Sequence, residues 1–325
     1  MEFFQADAQL VPEEQNPYDA FSMINIVTDI GACEALWRKF SPCRSLYDLW
    51  EFRFPFWEEY RYELAFVVLS QDENAQGLLP LWKHPTQKNY LWFGDVGDEF
   101  NWQEDNTIWV SDPSCVRALI DGAPRPLQLT SLRPEAIPLL NDCGEVRAMN
   151  AKSVVALPEG FTLEKFISGL TSANFRHMIR RDLRRVEECH PDKRIDDPRA
   201  FDSFLALNTH EFADSPFADA RLAATFRRLV LDTRPRPFTV RTISVEIGGD
   251  IVGTYCTFAY GQTSFALLYG GDKHRCPGIG HYMNLSAIED ALATGKNTVD
   301  FAETDPGTAK ERLLPSVPQW MFTSQ

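Results

Sequence analysis

The sequence Tyr269-Gly-Gly-Asp-Lys-His-Arg-Cys-Pro-Gly-Ile-Gly-His281 joins a predicted strand to a predicted helix. The strand is the apolar run from Thr263 to Tyr269, which follows a turn at Gly261-Gln262. Downstream, apolar residues recur at helical spacing from Tyr282 to Leu292, and Gly295 suits a helix C-terminus. The segment is therefore expected to be a strand-to-helix loop.

This loop carries the pattern Arg-x-x-Gly-x-Gly, at Arg275, Gly278 and Gly280. Glycines let the backbone approach a ligand closely. The start of the following helix supplies unpaired N–H groups and the positive end of the helix dipole. Together these features suit a pyrophosphate. The alternative is an ordinary glycine-containing turn before a helix, but the flanking strand and helix favour the anion site.

Acidic residues outnumber basic ones, and the imbalance lies mostly in the first half. The net charge is −14, with 12 Lys/Arg against 25 Asp/Glu in residues 1–160 and 20 against 21 in residues 161–325. An acidic chain is a poor general binder of nucleic acid, so DNA is not an expected partner. If an anionic ligand binds, the second half is the expected host.

The cysteines and the N-terminus bear on the compartment. The seven cysteines are odd in number and include no Cys-x-x-Cys pair, which argues against a disulfide framework and a structural zinc ion. No metal is therefore expected. The N-terminus lacks the basic region and apolar run of a signal peptide, and the apolar runs are too short to span a bilayer. We expect a cytoplasmic protein with reduced thiols.

The two halves of the chain share a layout of one strand, helices and a three-stranded meander. In both, the middle strand of the meander begins near a glycine (Gly77 and Gly253) and the third strand ends at one (Gly94 and Gly270). This indicates two copies of one α/β unit, with a boundary near Pro158-Glu-Gly160. The loop after Gly94 is acidic and lacks the glycine pattern, so only the second copy is expected to bind an anion.

In the second half, the order is helix, helix, three-stranded meander, glycine loop, helix, strand, short helix and strand. This order resembles the GNAT acyltransferase fold, and the doubling resembles the tandem FemAB-like and CelD/BioF-type acetyltransferases. The segments Gly77–Leu81, Phe175–Arg185 and Asp300–Lys310 extend the likeness. The resemblance implies a mixed α/β (α+β) protein in which each domain is a mostly antiparallel sheet flanked by helices. A degenerate GNAT-like domain would cover residues 1–160 and a GNAT domain with an acyl-CoA loop residues 161–325.

The resemblance also implies where an acyl-CoA would bind. Its pyrophosphate would lie on the glycine loop, and its pantetheine arm would pair with the end of the preceding strand. The implied residues are Leu267, Leu268, Gly270, Arg275, Gly278, Ile279, Gly280 and His281. For His281, a side chain facing solvent at the helix start is the alternative.

Attack of an amine on a thioester needs a base, a group that stabilises the oxyanion and an acid for the departing thiolate. Glu303 is the predicted base, Lys310 the predicted oxyanion partner and Tyr269 the predicted acid. His210 and Glu211 end a helix that lines the acceptor cleft in this fold, so they are predicted to contact the acceptor. Solvated side chains, and for Tyr269 a structural strand position, remain the alternatives.

Ala309 stands where the family usually has an aromatic residue before its terminal lysine, which leaves catalysis open. The leading prediction is an acyl-CoA-dependent N-acyltransferase acting on a small-molecule or polymer-precursor amine. One alternative is a Fem-type aminoacyl transferase using aminoacyl-tRNA, which the acidic first half disfavours. The other is a non-catalytic ligand-binding protein on the GNAT fold. The sequence predicts neither the acceptor's identity nor the oligomeric state.

Two further features have mainly structural interpretations. Arg176, Arg180 and Arg184 recur every four residues on one predicted helix. They fit a grip on an anionic acceptor or nucleic acid, but a solvated face with local acidic partners is favoured. Cys276 lies inside the loop, and a helix N-terminus lowers the pKa of a thiol, but no base is near in sequence and no nucleophile role is predicted.

Overall fold

The computed structural model describes residues 22–71, 74–97, 102–304, 306 and 308–325. The N-terminus, on which the prediction of location partly rested, lies outside these residues, as does part of the acidic loop after Gly94. The helices are α1 (Ile30–Phe40), α2 (Trp50–Tyr60), α3 (Cys115–Asp121), α4 (Ile137–Leu140), α5 (Leu163–Gly169), α6 (Ala173–Glu188), α7 (Ala200–Glu211), α8 (Ala220–Leu231), α9 (Ile279–Ala293) and α10 (Ala309–Leu313). None of the described helices combines the length and apolar character needed to cross a membrane.

The strands form two sheets. They are β1 (Ser22–Val27), β2 (Glu63–Gln71), β3 (Asn74–Lys83), β4 (Tyr90–Trp92), β5 (Trp109–Val110), β6 (Leu127–Leu132), β7 (Glu145–Ala148), β8 (Lys152–Ala156), β9 (Asp192–Ile195), β10 (Thr239–Ile247), β11 (Asp250–Tyr260), β12 (Thr263–Gly271), β13 (Thr298–Glu303), β14 (Ser316–Val317) and β15 (Trp320–Ser324). The first sheet has the order β1-β2-β3-β4-β6-β15-β7, with β5 beside β3. The second has the order β14-β8-β13-β12-β11-β10-β9.

The two sheets share one pattern. In each, a run of antiparallel strands leads to a parallel junction, β4 beside β6 in the first sheet and β12 beside β13 in the second. Beyond the junction, each sheet continues with antiparallel strands. This confirms the predicted mixed α/β class, with two mostly antiparallel sheets flanked by helices.

Strands are exchanged between the two halves of the chain. β8 precedes residue 160 in the sequence but pairs with β13 and β14 in the second sheet. β15 lies near the C-terminus but pairs with β6 and β7 in the first sheet. The domain boundary near residue 160 stays a prediction. Each of the two sheets contains one strand from the other half of the chain, β15 in the first sheet and β8 in the second.

Aromatic side chains join the two halves in a common core. Phe52 of α2 lies with its ring centroid 5.8 Å from that of Phe258 in β11, and Phe56 lies 5.6 Å from Phe226 in α8. Tyr47, just before α2, contacts Phe265 of β12 at 5.5 Å. Burying each such ring contributes about 1.5–3 kcal/mol, so this core holds the second sheet firmly against the first half.

Candidate functional site

β12 and β13 run side by side only at their first residues. Their parallel pairing joins Thr263–Phe265 to Thr298–Asp300. Both strands continue beyond this pairing, β12 to Gly271 and β13 to Glu303. A wedge therefore opens between the diverging strand ends, which we call the β12–β13 wedge. Within the described chain, no strand pairs with the wedge-facing edge of β12 beyond Phe265.

A β-bulge in β12 explains the divergence. Cys256 of β11 pairs with Leu268, and Thr257 pairs with Ala266, so Leu267 is an extra residue. A bulge bends its strand and increases the local twist. Leu267 is half-buried at the bulge, whereas the Leu268 side chain is only 1% exposed in the core. A ligand in the wedge would therefore meet Leu268 through its backbone.

The glycine loop is held in a defined shape before α9. Gly278 is the N-cap residue and has a φ of +103°, in a region that favours glycine. The Asp272 side chain accepts the Arg275 N–H at 2.8 Å, and the Asp272 carbonyl accepts the Cys276 N–H at 2.9 Å. The loop is thus ordered by its own hydrogen bonds.

The first turn of α9 presents free donors. In the described part of the chain, the N–H groups of Gly280 and His281 have no hydrogen-bond partner, whereas the Ile279 N–H donates to Cys276 at 3.1 Å. The dipole of this 15-residue helix adds positive potential at the same end. The arrangement has the geometry of an anion site.

Helix α6 packs against one side of this loop. A Cβ added at Gly278 would lie 2.8 Å from the Asp182 Cβ and 3.0 Å from the Asp182 carbonyl oxygen. His281 is 8% exposed, and its Nδ1 lies 3.0 Å from Asp182 Oδ2. Burial lowers the pKa of His281, although the bond to Asp182 opposes the shift. The His281 side chain therefore faces α6, and its backbone N–H is the group left for a phosphate.

Three other predicted loop residues have packing roles. The Arg275 guanidinium pairs with Asp250 at 2.7 Å. The Ile279 side chain is fully buried in the core beneath the loop. A Cβ at Gly270 would lie 3.0 Å from the Phe204 carbonyl oxygen, so this glycine lets α7 approach β12. These contacts position the loop, and a ligand would be bound mainly by backbone groups.

Tyr269 places its hydroxyl beside the start of α9. A Cβ at Gly271 would overlap the Tyr269 Oη, and a Cβ at Gly280 would lie 3.3 Å from it. The hydroxyl is buried without a hydrogen-bond partner, and burial raises the pKa of Tyr269 well above its usual range. Tyr269 therefore keeps its proton at neutral pH. Burial also raises the pKa of Cys276 to about 11, so this thiol stays protonated.

Lys310 and Glu303 meet at the end of β13. The Lys310 ammonium donates to the carbonyl oxygen of Phe301 and, at 2.9 Å, to that of Glu303. Glu303 Oε1 accepts a hydrogen bond from Asn150 Nδ2 at 2.8 Å. Lys310 thus ties α10 to the strand end.

The end of α7 also reaches the glycine loop. Glu211 pairs with Lys273 of the loop at 2.6 Å, while His210 is exposed. The predicted contact of these two residues with an acceptor stays a prediction.

Residues 173–311 match the family model described as acetyltransferase (GNAT) domain. The match lies within the second half of the chain and covers less than half of its 325 residues. Together with the doubled sheet pattern, it indicates the fold. This chain has a tandem GNAT fold. The resemblance inferred from the sequence, to tandem FemAB-like acetyltransferases, is confirmed.

Solved structures share the whole architecture of this tandem GNAT-fold protein. A conserved protein of unknown function from Bacteroides thetaiotaomicron VPI-5482 has a TM-score of 0.58 at 14% identity, over 93% of this chain and 100% of that one. FemX has a TM-score of 0.55 at 10% identity, over 91% and 96% of the two chains. A tandem GNAT protein from the clavulanic acid biosynthesis pathway has a TM-score of 0.50 at 10% identity, over 93% and 98%. No curated protein matches the sequence.

A buried charged cluster in the tandem GNAT-fold protein adjoins the end of β13, and no sequence motif indicated it. Lys152 Nζ lies 2.6 Å from Asp300 Oδ2, 2.7 Å from Asp105 Oδ1 and 3.9 Å from Glu104 Oε2. We call these four residues the Lys152 cluster. Burial alone would lower the pKa of Lys152, but the carboxylates raise it above its usual range. Burial raises the pKa of Glu104 to about 8.

The Lys152 cluster was hidden from sequence reasoning because its members are far apart in the chain. Glu104 and Asp105 lie in an irregular acidic stretch of the first half, while Lys152 and Asp300 lie on paired strands of the second sheet. From the sequence alone, each of these four residues would be interpreted as a charged side chain exposed to water. Among the described residues, no group of three or more His, Cys, Asp or Glu side chains is arranged to hold a metal ion.

The arginine row on α6 has local partners. Arg180 pairs with Glu164 of α5 at 2.6 Å, and Arg176 donates to the carbonyl oxygens of Leu170 and Thr171. Exposed pairs of this kind contribute about 0–1 kcal/mol. These contacts agree with a solvated helix face.

Proposed function

We propose that this protein is an acyl-CoA-dependent N-acyltransferase that transfers an acyl group to an amine. The observation that carries the proposal is the β12–β13 wedge beside the free N–H groups of α9. An extended pantetheine arm would pair with the β12 edge beyond Phe265, as a peptide adds to an open sheet edge. The pyrophosphate would then reach the N–H groups of Gly280 and His281.

The side chains around the wedge suit direct transfer. The amine nitrogen attacks the thioester carbonyl carbon, the C–S bond breaks, and the departing sulfur takes a proton. Tyr269, which keeps its proton at neutral pH, supplies that proton. Glu303 at the end of β13 takes the proton lost by the amine. The Lys310 ammonium, held at the same strand end, provides positive charge for the oxyanion.

The acceptor and the remaining assignments also belong to this proposal. We place the acceptor, a small-molecule or polymer-precursor amine, beside His210 and Glu211 at the end of α7. Residues 161–325 are the catalytic GNAT domain, and residues 1–160 are the degenerate one. The location we propose is cytoplasmic.

One observation favours a second candidate, an aminoacyl transferase of the Fem type. Asp182 packs against Gly278 and places a carboxylate beside the glycine loop, where it would repel a pyrophosphate. The fold is also shared with FemX. Against this candidate stands the acidic first half, which is unfavourable for tRNA.

Replacing Gly280 with valine is expected to weaken acetyl-CoA binding at least tenfold, about 1.4 kcal/mol. The new side chain would crowd the Tyr269 hydroxyl and the donors of the first turn. Isothermal titration and thermal shift with acetyl-CoA and longer acyl-CoAs measure the effect. Gly169→Val is the matched control, because a Cβ at Gly169 would meet nothing within 4 Å. Wild-type protein that binds no acyl-CoA would refute the proposal, and unchanged binding by Gly280→Val would refute the loop as the site.

Replacing Tyr269 with phenylalanine is expected to lower kcat about 100-fold, the lower end of the effect of general acid catalysis. The ring would keep its packing, and only the hydroxyl would be lost. Acyl-CoA affinity should stay unchanged. Steady-state rates against a panel of amines test this, and an unaltered kcat would assign Tyr269 a structural role.

A further inference from the structure

The chain bends at Ala302, immediately before the proposed base. Ala302 has a φ of +57°, in the left-handed region that residues with a Cβ rarely adopt. Such strained positions persist where the surrounding structure determines them, and they cluster at functional sites. The bend sets the direction in which the chain leaves β13, and so it sets the place of Glu303.

Side chains fix the backbone groups around this bend. The Ala302 N–H donates to Asp300 Oδ1 at 2.8 Å. The carbonyl oxygens of Phe301 and Glu303 accept from the Lys310 ammonium. Asp300 is itself held by Lys152 through its other oxygen. The strand end is thus determined by several side chains rather than by sheet pairing alone.

The Glu303 N–H donates a hydrogen bond to a side chain from the first half of the chain. It donates to Glu104 Oε1 at 2.5 Å across 199 residues of sequence. Glu104 is fully buried, and its Oε2 has no hydrogen-bond partner. The Tyr47 hydroxyl is also buried without a hydrogen-bond partner, and its electrostatic interactions with Glu104, Asp300 and Asp105 place it at the same cluster.

We propose that Glu104 is a positioning residue for the proposed base Glu303, supplied by the half of the chain that lacks the glycine loop. The Glu104 carboxyl fixes the Glu303 backbone at the bend, so the Glu303 carboxylate stands at one place beside the wedge. The inference rests on the proposed function, in which Glu303 accepts the amine proton. It gives the degenerate half a part in the reaction without direct contact with substrate.

The charges around Glu104 make its protonation state a useful readout. It faces Lys152 from β8, Asp300 from β13, Asp105 from its own segment and Tyr47 from the segment before α2. Burial raises the pKa of Glu104 to about 8, so its carboxyl group binds a proton more readily than that of an exposed glutamate. Ionisation above that value adds a negative charge beside the segment that carries Glu303.

Amide hydrogen exchange tests the positioning without any assay of activity. In Glu104→Ala, exchange at the Glu303 amide should be at least tenfold faster, because its acceptor is gone. In Glu104→Gln, protection should remain, because the amide oxygen can accept the same hydrogen bond. Glu188→Ala, at an exposed position of α6, is the control and should leave the Glu303 amide unchanged. Unchanged exchange in a folded Glu104→Ala variant would overturn the proposal.

Kinetics then separate a positioning role from a general structural one. Glu104→Ala should lower kcat at least tenfold with acyl-CoA affinity unchanged, and it should add nothing in a Glu303→Ala background. Glu104→Gln should keep most of kcat and lose the change in rate near pH 8. If Glu104→Ala fails to fold, loss of Glu303 protection in Glu104→Gln would overturn the proposal. A wild type that binds no acyl-CoA would remove the proposed function, while the exchange result would still support or overturn the role of Glu104.

Discussion

Replacing Lys152 with methionine is expected to lower the free energy of unfolding by about 3–5 kcal/mol. Methionine has a similar length, so the change removes mainly the charge. The Lys152 ammonium lies 2.6 Å from Asp300 and 2.7 Å from Asp105, and Lys152 is only 6% exposed. Its loss leaves Asp300 buried without its cation, and the desolvation of this carboxylate is then uncompensated. Asp105 is partly exposed and keeps Arg133 at 3.6 Å.

Urea denaturation of Lys152→Met and Lys193→Met compares the loss of a buried ammonium group with the loss of an exposed one. Lys193 pairs with Glu289 at 2.8 Å, but the two side chains are 36% and 49% exposed. Removing that exposed charge is expected to cost about 0–1 kcal/mol. If Lys152→Met lowers the free energy of unfolding by no more than Lys193→Met does, the Lys152 ammonium is not buried as described.

Replacing Gly278 with alanine is expected to destabilise the protein by at least about 2 kcal/mol, since backbone strain and overpacking each cost about 1–3 kcal/mol. The φ of +103° is unfavourable for any residue with a Cβ. The added Cβ would also lie 2.8 Å from the Asp182 Cβ and 3.0 Å from the Asp182 carbonyl oxygen. Relief of the clash would move α6 away from α9 and displace the donors of the first turn, so acyl-CoA binding should weaken as well.

The variant Gly249→Ala separates the cost of backbone strain from the cost of the contact with Asp182. Gly249 has a φ of +92° in the β10–β11 turn, and a Cβ there would meet nothing within 4 Å. Its substitution should therefore cost only the backbone strain, about 1–3 kcal/mol. Denaturant unfolding of both variants gives the contribution of the contact with Asp182 as the difference. If the two variants lose the same free energy of unfolding, α6 does not pack closely against Gly278.

Much of the glycine-loop region could be predicted from the sequence because its signals are local. Alternating and helical spacings predicted a strand and a helix on either side of the loop, and the structure has β12 and α9 there. The Arg-x-x-Gly-x-Gly pattern and the repeated meander indicated the doubled GNAT fold. Turn glycines and hydrophobic periods act over a few residues, so a single chain displays them directly.

The sequence by itself was enough to predict the fold class and the likeness to GNAT proteins, and it pointed to the segment that we propose as the anion site. Only the tertiary structure decided the strand exchange between the sheets, the packing of Asp182 against Gly278 and the burial of Lys152 beside the side chains of Asp300, Asp105 and Glu104. The physical reason is distance along the chain. In the sequence, Glu104 has no neighbour that would indicate burial, so it would be interpreted as exposed to water. In the folded protein, packing excludes water from Glu104 and places Lys152 and the Glu303 N–H beside it.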